Sequence, residues 1–420
     1  MSASTVTAGK TGYSTQYINY ALCFFALLLV MVYFKTVNAY ALNIPYKDDY
    51  EAILEWLVHY KASDAGGRVA LLFAQHSEHR ILASRVVYAI YYHIFGDINF
   101  RSIIFLANIQ LLVVAGLGVA FIRKFIQGYW GIPAFVLALC LFDVNNFENA
   151  DFAMAGMQNF GIVMWFLLSL LFYTRSGNKN LVWALVFQAI AAFSSGNGII
   201  VGGALLVYCI LSKDKRKIIA CAATMLVLGG LYFIGYHSGS SAPSYELSKT
   251  TMYFLHITGA HFSFENGWWC AIIMLGILAA TIPVNKKFQF KEGSLPFIAI
   301  LVFVMGSISI TAVFRSAMPI LQAYASRYFI YTHLLTAVIF CFLYAKLEHK
   351  KSLLPVSLIS VFVLLLIYRK NYDYGIANFE LEKNRLQHYE FFHPDLEKAR
   401  KIAEEACAAE IYCIKEERFD

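Results

Sequence analysis

Long apolar segments alternate with short polar ones over most of the chain. Windows of roughly 17–22 apolar residues suit a helix that crosses the hydrocarbon core of a membrane. Such windows lie at 17–39, 102–122, 130–142, 158–174, 180–193, 197–212, 217–236, 266–284, 295–314, 328–345 and 352–368, of which 130–142 and 180–193 are short. No small-residue cleavage pattern follows the first, which predicts a retained helix. The pattern therefore predicts an all-α polytopic membrane protein with about eleven transmembrane helices.

The longest polar interruption is the first loop, residues 40–101, between the first two windows. Within it, residues 48–61 and 80–95 each place charged side chains on one side and apolar side chains on the other. This pattern is typical of helices that lie flat on a membrane. Counting 80–95 as a span would also reverse the charge bias of every later loop. We therefore predict a first loop with two surface helices.

Cationic residues are concentrated in alternate loops. They occur in turns near 123–124, 175–179, 213–217, 286–291 and 346–351, whereas the intervening loops at 143–157, 194–196 and 237–265 hold only Lys249. The positive-inside rule assigns the first set to the cytoplasm. It places the N-terminus inside, and the first loop and the C-terminus outside. Topology thus explains the formal net charge of +7, and no nucleic-acid partner is expected.

Composition agrees with a membrane protein, and a polar composition distinguishes a short C-terminal tail from the rest of the chain. With 59% hydrophobic and 15% charged residues, the chain is unlike a soluble domain. Residues 1–368 are predicted to form the membrane domain and 369–420 a small soluble tail on the exported side. Pro394 is expected to open a helix over 395–408. Cys407 and Cys413 could pair in an oxidising compartment or remain free.

Two adjacent acids, Asp48 and Asp49, lie just beyond the first predicted span. One carboxylate at the membrane surface could act as a general base toward a hydroxyl, while its neighbour orients it or binds a cation. The alternative is an acidic cap at the start of a surface helix. Both acids are kept as candidate catalytic residues.

A second polar cluster in the first loop runs from Gln75 to Arg80. On a helix, His76 and His79 would share a face and could hold a divalent metal with Glu78 or Asp48. Hydrogen bonds from Gln75, His76, Glu78 and His79 to sugar hydroxyls, and phosphate contact by Arg80, are favoured over the metal. No cofactor is predicted with certainty. A structural network that holds the loop together is the remaining alternative.

Two later segments on the predicted exported side add polar groups. One combines acids, amides and aromatic rings, as carbohydrate subsites do, and its candidate sugar-binding residues are Glu148, Asn149 and Asp151. The other carries Arg315 and Arg327, whose guanidinium groups suit a lipid-linked phosphate. Solvated loop residues and interface anchors are the respective alternatives.

Taken together, these motifs resemble the GT-C type of integral-membrane glycosyltransferase. The shared pattern is an acidic pair after the first span, two surface helices, His76-Ser77-Glu78-His79-Arg80, a Glu148-Asn149 loop and Ser326-Arg327-Tyr328. Within that type, the chain is most similar to bacterial enzymes that decorate surface polysaccharide, including O-antigen glucosyltransferases. By position, the first-loop acid matches Asp48 or Asp49, and the second-loop acid matches Glu148 or Asp151.

The resemblance implies an enzyme of the bacterial inner membrane whose site faces the periplasm. It implies inverting transfer of a hexose, with glucose expected, from a polyprenyl-phosphate donor to a polysaccharide or lipid-linked oligosaccharide. Two other functions stay open. One is a flippase or transporter of lipid-linked saccharide, although few ionisable groups lie mid-span as a translocation path would need. The other is an O-antigen polymerase or ligase.

Overall fold

The structure is a computed structural model that describes residues 13–237, 246–283, 290–348, 350–388 and 392–413. Over these ranges the chain is almost wholly helical, with one short β-hairpin. The α-helices are α1 (Tyr13–Tyr40), α2 (Trp56–Ala62), α3 (Ala65–Phe73), α4 (Leu82–Phe95), α5 (Phe100–Phe125), α6 (Gly131–Leu141), α7 (Phe147–Asp151), α8 (Ala153–Tyr173), α9 (Asn178–Ala192), α10 (Gly198–Leu211), α11 (Lys215–Phe233), α12 (Leu247–Gly259), α13 (Gly267–Thr281), α14 (Leu295–Arg315), α15 (Phe329–Leu347), α16 (Leu353–His388) and α17 (Leu396–Ala408). The hairpin strands are β1 (Gln75–His76) and β2 (His79–Arg80).

The predicted fold class is confirmed. Each of the eleven predicted windows falls on a helix. Within the described ranges, eight helical stretches are long and apolar enough to cross a membrane, and α10 and α13 are shorter apolar helices. The remaining window corresponds to α9, which has 15 residues. The chain is therefore a multi-pass membrane protein built from helices of unequal length.

Successive spans bring a defined set of loops to one end of the bundle. We call this end the first-loop face. It carries the residues between α1 and α5, the loop from α6 to α8, the segment from α12 to α13, and the turn from α14 to α15. Helix α7 contacts the segments around residues 144–146 and 326–328, and α16 contacts the first of these, so that the loops are joined. Side chains far apart in the sequence therefore meet at this face.

The first loop contains more structure than the two predicted surface helices. Residues Tyr50–Glu55 form a π-helical stretch that continues into α2, and the second predicted helix begins at Leu82 instead of residue 80. The prediction that His76 and His79 lie on one helix is wrong. They are cross-strand partners in a hairpin whose turn residue Ser77 has a left-handed φ of 48°. The helices α3 and α12 were also not predicted.

Buried polar contacts tie the loop between α6 and α8, which we call the second loop, to the spans behind it. The Tyr33 hydroxyl in α1 donates to Asn108 Oδ1 in α5 at 2.6 Å. The Asn108 amide then donates to the carbonyl of Ala150 at 2.8 Å. In a membrane, where helices gain little from apolar contact alone, small polar bridges of this kind help to fix neighbours. They set the position of the loop that carries Glu148 and Asp151.

The C-terminal segment folds back onto the first loop. Asp395 caps α17 by accepting from the Lys398 amide at 3.0 Å, and Cys407 and Cys413 form a disulfide. The Ile98 amide donates to the Ile411 carbonyl at 2.8 Å, and Lys61 Nζ donates to the Ala409 carbonyl at 2.6 Å. Helix α16 runs without a break past residue 368, so the division of the chain at that position stays a prediction.

Candidate functional site

Asp49 is a structural residue. Its side chain is buried, and its carboxylate accepts from the Tyr46 amide at 3.1 Å and from the Met154 amide at 2.8 Å. Met154 lies in the first turn of α8, so Asp49 supplies that helix with a capping acceptor from the first loop. Burial raises the pKa of Asp49 to about 7, although the backbone donors favour the charged form. Both oxygens of this acid are thus occupied by the fold.

Asp48 has the opposite environment. Its side chain is exposed, and in the described part of the chain no hydrogen bond or ion pair engages its carboxylate. Its negative charge acts on His76 and on Arg327. Asp48 is therefore a solvent-accessible carboxylate with a cation from a distant loop nearby.

Arg80 and Gln75 anchor the hairpin. Arg80 is buried, and its guanidinium donates to the carbonyls of Tyr232, Phe73 and Ile234. Gln75 exchanges hydrogen bonds with the backbone of His237, at 2.6 Å and 3.0 Å. Both side chains hold the end of α11 against the first loop. The predicted phosphate contact of Arg80 is not supported, because carbonyl groups already take up its donors.

The hairpin histidines are partly buried, and burial lowers the pKa of each. For His79 the pKa falls to about 4; Glu78 opposes the shift and Arg315 adds to it. The His79 ring is packed against Gly196, where a Cβ atom would lie 2.3 Å from Nδ1. Residue 196 must therefore be glycine for the hairpin to sit where it does. The histidines are neutral at physiological pH, in a state that can both donate and accept hydrogen bonds.

Of the candidate residues in the second loop, two are hydrogen-bonded by the fold and one is not. Glu148 Oε2 accepts from the Arg327 amide at 3.1 Å and from the Ser326 hydroxyl at 3.3 Å. Asn149 is fully buried and donates to the Arg327 carbonyl at 2.9 Å. These two residues position the turn before α15. Asp151 is buried with neither oxygen hydrogen-bonded to a described residue, and the charges of Glu382 and Lys383 lie close to it.

The two late arginines both lie at the first-loop face. Arg315, in the last turn of α14, pairs with Glu78 at 3.4 Å. Arg327 lies with its guanidinium 5.5 Å from the Tyr328 ring, and the charges of Asp48 and Glu148 act on it. In the described ranges, no carbonyl or carboxylate oxygen lies within hydrogen-bonding distance of that guanidinium. Apart from its contact with the Tyr328 hydroxyl, its donors are available to an anion.

An open cavity of about 390 Å³ lies beside these arginines. Its lining combines apolar and polar side chains: Ser248, Lys249, Met252, Tyr253, Ser316, Met318 and Ile320. Arg315 and Arg327 are charge neighbours of Tyr253. The sequence pattern predicted a loop over residues 237–265, so the contribution of α12 to this cavity was missed. The amphipathic spacing within 247–259 is the signal that could have found it.

A cluster of potential metal ligands occurs away from the hairpin. Among the residues that the structure describes, Asp143, His261 and His333 have ligand atoms within 4.8 Å of one another. All three side chains are buried. His76 and His79, for which metal binding was the less favoured alternative, do not belong to this group. Nothing in the sequence spacing links residues 143, 261 and 333, because three separate helix ends bring them together.

Comparisons with known proteins bear on the fold. No family model matches the chain, and no curated protein matches it. Among solved structures, the chain is similar to the crystal structure of ArnT from Cupriavidus metallidurans bound to undecaprenyl phosphate. The TM-score is 0.51 at 14% sequence identity, over 93% of this chain and 75% of that one. The chain has a GT-C-like fold. At this identity the likeness concerns the fold, and the chemistry has to be argued from the site.

Proposed function

We propose that the protein is a polyprenyl-phosphate-dependent membrane glycosyltransferase whose reacting groups meet at the first-loop face. The observation that carries the proposal is the contrast between paired and unpaired charges. Asp49 and Arg80 hydrogen-bond to backbone, whereas Asp48 and Arg327 are charge neighbours with no ion-pair or backbone partner among the described residues. A GT-C-like fold that leaves one carboxylate and one guanidinium without such partners at a membrane surface suits transfer from a lipid phosphate.

In the proposed reaction, Asp48 is the general base. An acceptor hydroxyl oxygen forms a bond to the anomeric carbon of the donor sugar, while its proton passes to the Asp48 carboxylate. The bond between that carbon and the phosphate oxygen breaks, and the electron pair leaves with the polyprenyl phosphate. A single displacement of this kind inverts the anomeric configuration. A positioned general base typically contributes about 10²- to 10⁴-fold in rate.

Arg327 is proposed to stabilise the negative charge that develops on the leaving phosphate. Guanidinium groups bind phosphate through paired donors, and this one is not engaged by a carboxylate. The lining of the neighbouring cavity mixes apolar side chains, which suit a hydrocarbon chain, with polar ones. Its cation Lys249 pairs with Glu246 at 2.6 Å, so Arg327 is the stronger candidate for the phosphate. Undecaprenyl phosphate bound to the similar fold of ArnT supports a polyprenyl donor. Arg315 is a weaker candidate for this role because it already pairs with Glu78.

The acceptor side is proposed to involve the histidine hairpin. Neutral His76 and His79 can hydrogen-bond to sugar hydroxyls without the cost of burying a charge, and the Asp48 charge acts on His76. We propose a hexose, glucose by the resemblance, as the transferred sugar and a surface polysaccharide or lipid-linked saccharide as acceptor. The positive-inside pattern supports a periplasmic first-loop face in a bacterial inner membrane.

The test uses full-length protein in lipid nanodiscs, with a radiolabelled polyprenyl-phosphate hexose and an oligosaccharide acceptor. We expect label to move to the acceptor and polyprenyl phosphate to be released in equal amount. Arg327→Ala should lower the rate by about 10²- to 10³-fold, the effect of removing one stabiliser of developing charge. Arg101→Ala is the matched control, because Arg101 is an exposed cation of the same face whose guanidinium bonds, among the described residues, to Asn38 alone.

The same assay separates the alternatives. A flippase would move label across a sealed vesicle without cleaving the sugar–phosphate bond. A polymerase or ligase would change glycan chain length or its attachment instead of adding one hexose. Normal transfer by Arg327→Ala, with Arg101→Ala also normal, would contradict the proposed role of the guanidinium.

A further inference from the structure

A buried set of three side chains lies behind the second loop. Asp143 follows α6, His261 lies between α12 and α13, and His333 lies in the second turn of α15. Their exposed fractions are 0%, 3% and 0%. Asp143 Oδ2 is 3.9 Å from His261 Nδ1 and 3.9 Å from His333 Nε2. Three potential ligand atoms therefore face one small space from three separate elements.

The three groups do not satisfy one another by hydrogen bonding. A separation of 3.9 Å exceeds the range of a hydrogen bond. Within the described residues, His261 Nδ1 and both ring nitrogens of His333 have no hydrogen-bond partner. The two rings meet edge to face, with centroids 4.5 Å apart. Each buried polar atom without a partner typically lowers the stability of the fold by about 1–3 kcal/mol. A ligand that bonds several such atoms at once would remove this penalty.

We propose that Asp143, His261 and His333 bind a divalent transition metal, zinc by the chemistry of the ligands. Two imidazole nitrogens and one carboxylate oxygen are a donor set that zinc takes in proteins. Bonds of about 2.0–2.1 Å to a tetrahedral ion place ligand atoms about 3.3 Å apart. The imidazole nitrogens must then approach the Asp143 oxygen by roughly half an ångström. Small rotations of the side chains supply a shift of that size.

Neighbouring donors already hold the carboxylate in place. The Asn371 amide in α16 donates to Asp143 Oδ2 at 2.8 Å and to the His261 carbonyl at 3.3 Å. The backbone N–H of Asn145 donates to Asp143 Oδ1 at 2.9 Å. Ligands of metal sites are commonly oriented by outer hydrogen bonds of this kind. Asn371 therefore acts as a positioning residue that joins α16 to the site.

The position of the site indicates a structural role for the ion. It would link α6, the α12–α13 segment, α15 and, through Asn371, α16. His333 lies six residues after Arg327, and Asp143 lies five residues before Glu148. The ion would thus fix the turn that presents Arg327 without itself being open to substrate. This inference does not depend on the proposed transfer reaction.

The test measures metal in the full-length protein purified in detergent without chelator. After incubation with Zn²⁺ and removal of excess, we expect about one zinc per chain by mass spectrometry of the metal. His333→Gln and Asp143→Asn should lose that zinc. The matched control His59→Ala, an exposed histidine of α2, should keep it. Chelator should lower the melting temperature of the wild type and zinc should restore it, with neither effect in His333→Gln.

A milder variant covers the case in which ligand replacement prevents folding. Asn371→Ala leaves the three ligands in place and should weaken zinc binding by about 10- to 100-fold. Wild-type protein that holds no zinc after incubation would overturn the proposal. So would a zinc content that His333→Gln and Asn371→Ala both leave unchanged.

Discussion

Asp48 and Arg327 form one acid–arginine set at the first-loop face, and Asp49 and Arg80 form another. In the second set, both Asp49 oxygens and all three guanidinium nitrogens of Arg80 hydrogen-bond to backbone, and the side chains are buried. In the first set, neither charged group forms an ion pair or a hydrogen bond to backbone among the described residues, although Arg327 contacts the Tyr328 side chain and the charge of Asp48 acts on it. The same residue types therefore build the fold at one place and leave reactive groups available at the other.

The hydrogen-bonding partners of a charged side chain decide its role more than its residue type does. A buried carboxylate that caps a helix cannot also take a proton from a substrate without weakening that helix. A guanidinium that bonds three carbonyls cannot turn toward a phosphate without leaving all three unsatisfied. Removal of a group from the second set should thus change stability, whereas removal from the first should change rate.

The largest effect on stability is expected for Arg80→Ala. This change leaves the carbonyls of Tyr232, Phe73 and Ile234 without their charged donor. Hydrogen bonds to charged groups contribute about 1.5–3 kcal/mol each, so the total loss should exceed about 3 kcal/mol. The amount of monodisperse protein after detergent extraction measures it. Arg327→Ala is the comparison and should give the wild-type yield. Equal yields for the two variants would contradict the conclusion that Arg80 stabilises the fold and Arg327 does not.

An effect of intermediate size is expected in the pH dependence of stability. Burial raises the pKa of Asp49 to about 7, whereas an unfolded chain loses that proton near about 3.9. Between these values the folded state keeps the proton and the unfolded state does not. The stabilising contribution of Asp49 is therefore complete below about pH 4 and falls as the pH rises toward 7.

The neutral variant Asp49→Asn isolates this contribution. The lowered pKa of His79 acts in the opposite sense, because its contribution falls as the pH drops from about 6.5 to about 4. Melting temperatures of wild type and Asp49→Asn should therefore be compared at pH 5 and pH 8. We expect wild type to lose stability relative to the variant as the pH rises. A constant difference would show that Asp49 does not titrate in this window.

The smallest effect is expected for Gly196→Ala. A Cβ atom at residue 196 would lie 2.3 Å from His79 Nδ1, so the hairpin must move. Overpacking of this kind typically costs about 1–3 kcal/mol. Gly203→Ala, in α10 with open space at its Cβ position, is the matched control. Thermal unfolding should show a loss for Gly196→Ala and none for Gly203→Ala; equal melting temperatures would contradict the close contact.

Much of the fold could be predicted because hydrophobic spans leave a strong periodic signal. Each predicted window falls on a helix, and the pairing of Cys407 with Cys413 was one of two open outcomes. The hairpin was missed because contacts of Gln75 and Arg80 with the end of α11 override local helical spacing. Helix α12 was missed because its segment was interpreted as a polar loop.

The candidate site could be predicted only as a set of residue types. The sequence placed Asp48 and Asp49 together, yet one is exposed and the other is buried. It also grouped Arg80 with Arg327, although only Arg80 is bonded by carbonyls, one from α3 and two from the distant end of α11. The cluster of Asp143, His261 and His333 could not be predicted from the sequence, because no local spacing joins these residues. Burial and long-range partners decide these cases, and both arise from the tertiary structure.

The most direct test of the division between the two sets compares Asp48→Ala with Asp49→Ala in one preparation. Transfer rate per folded molecule and melting temperature should be measured on the same samples, with Asp97→Ala as an exposed acid of the first loop for control. We predict that Asp48→Ala keeps the wild-type melting temperature and loses about 10²- to 10⁴-fold in rate. Asp49→Ala should lose melting temperature and retain most of its rate per folded molecule. The reverse pattern would contradict the account.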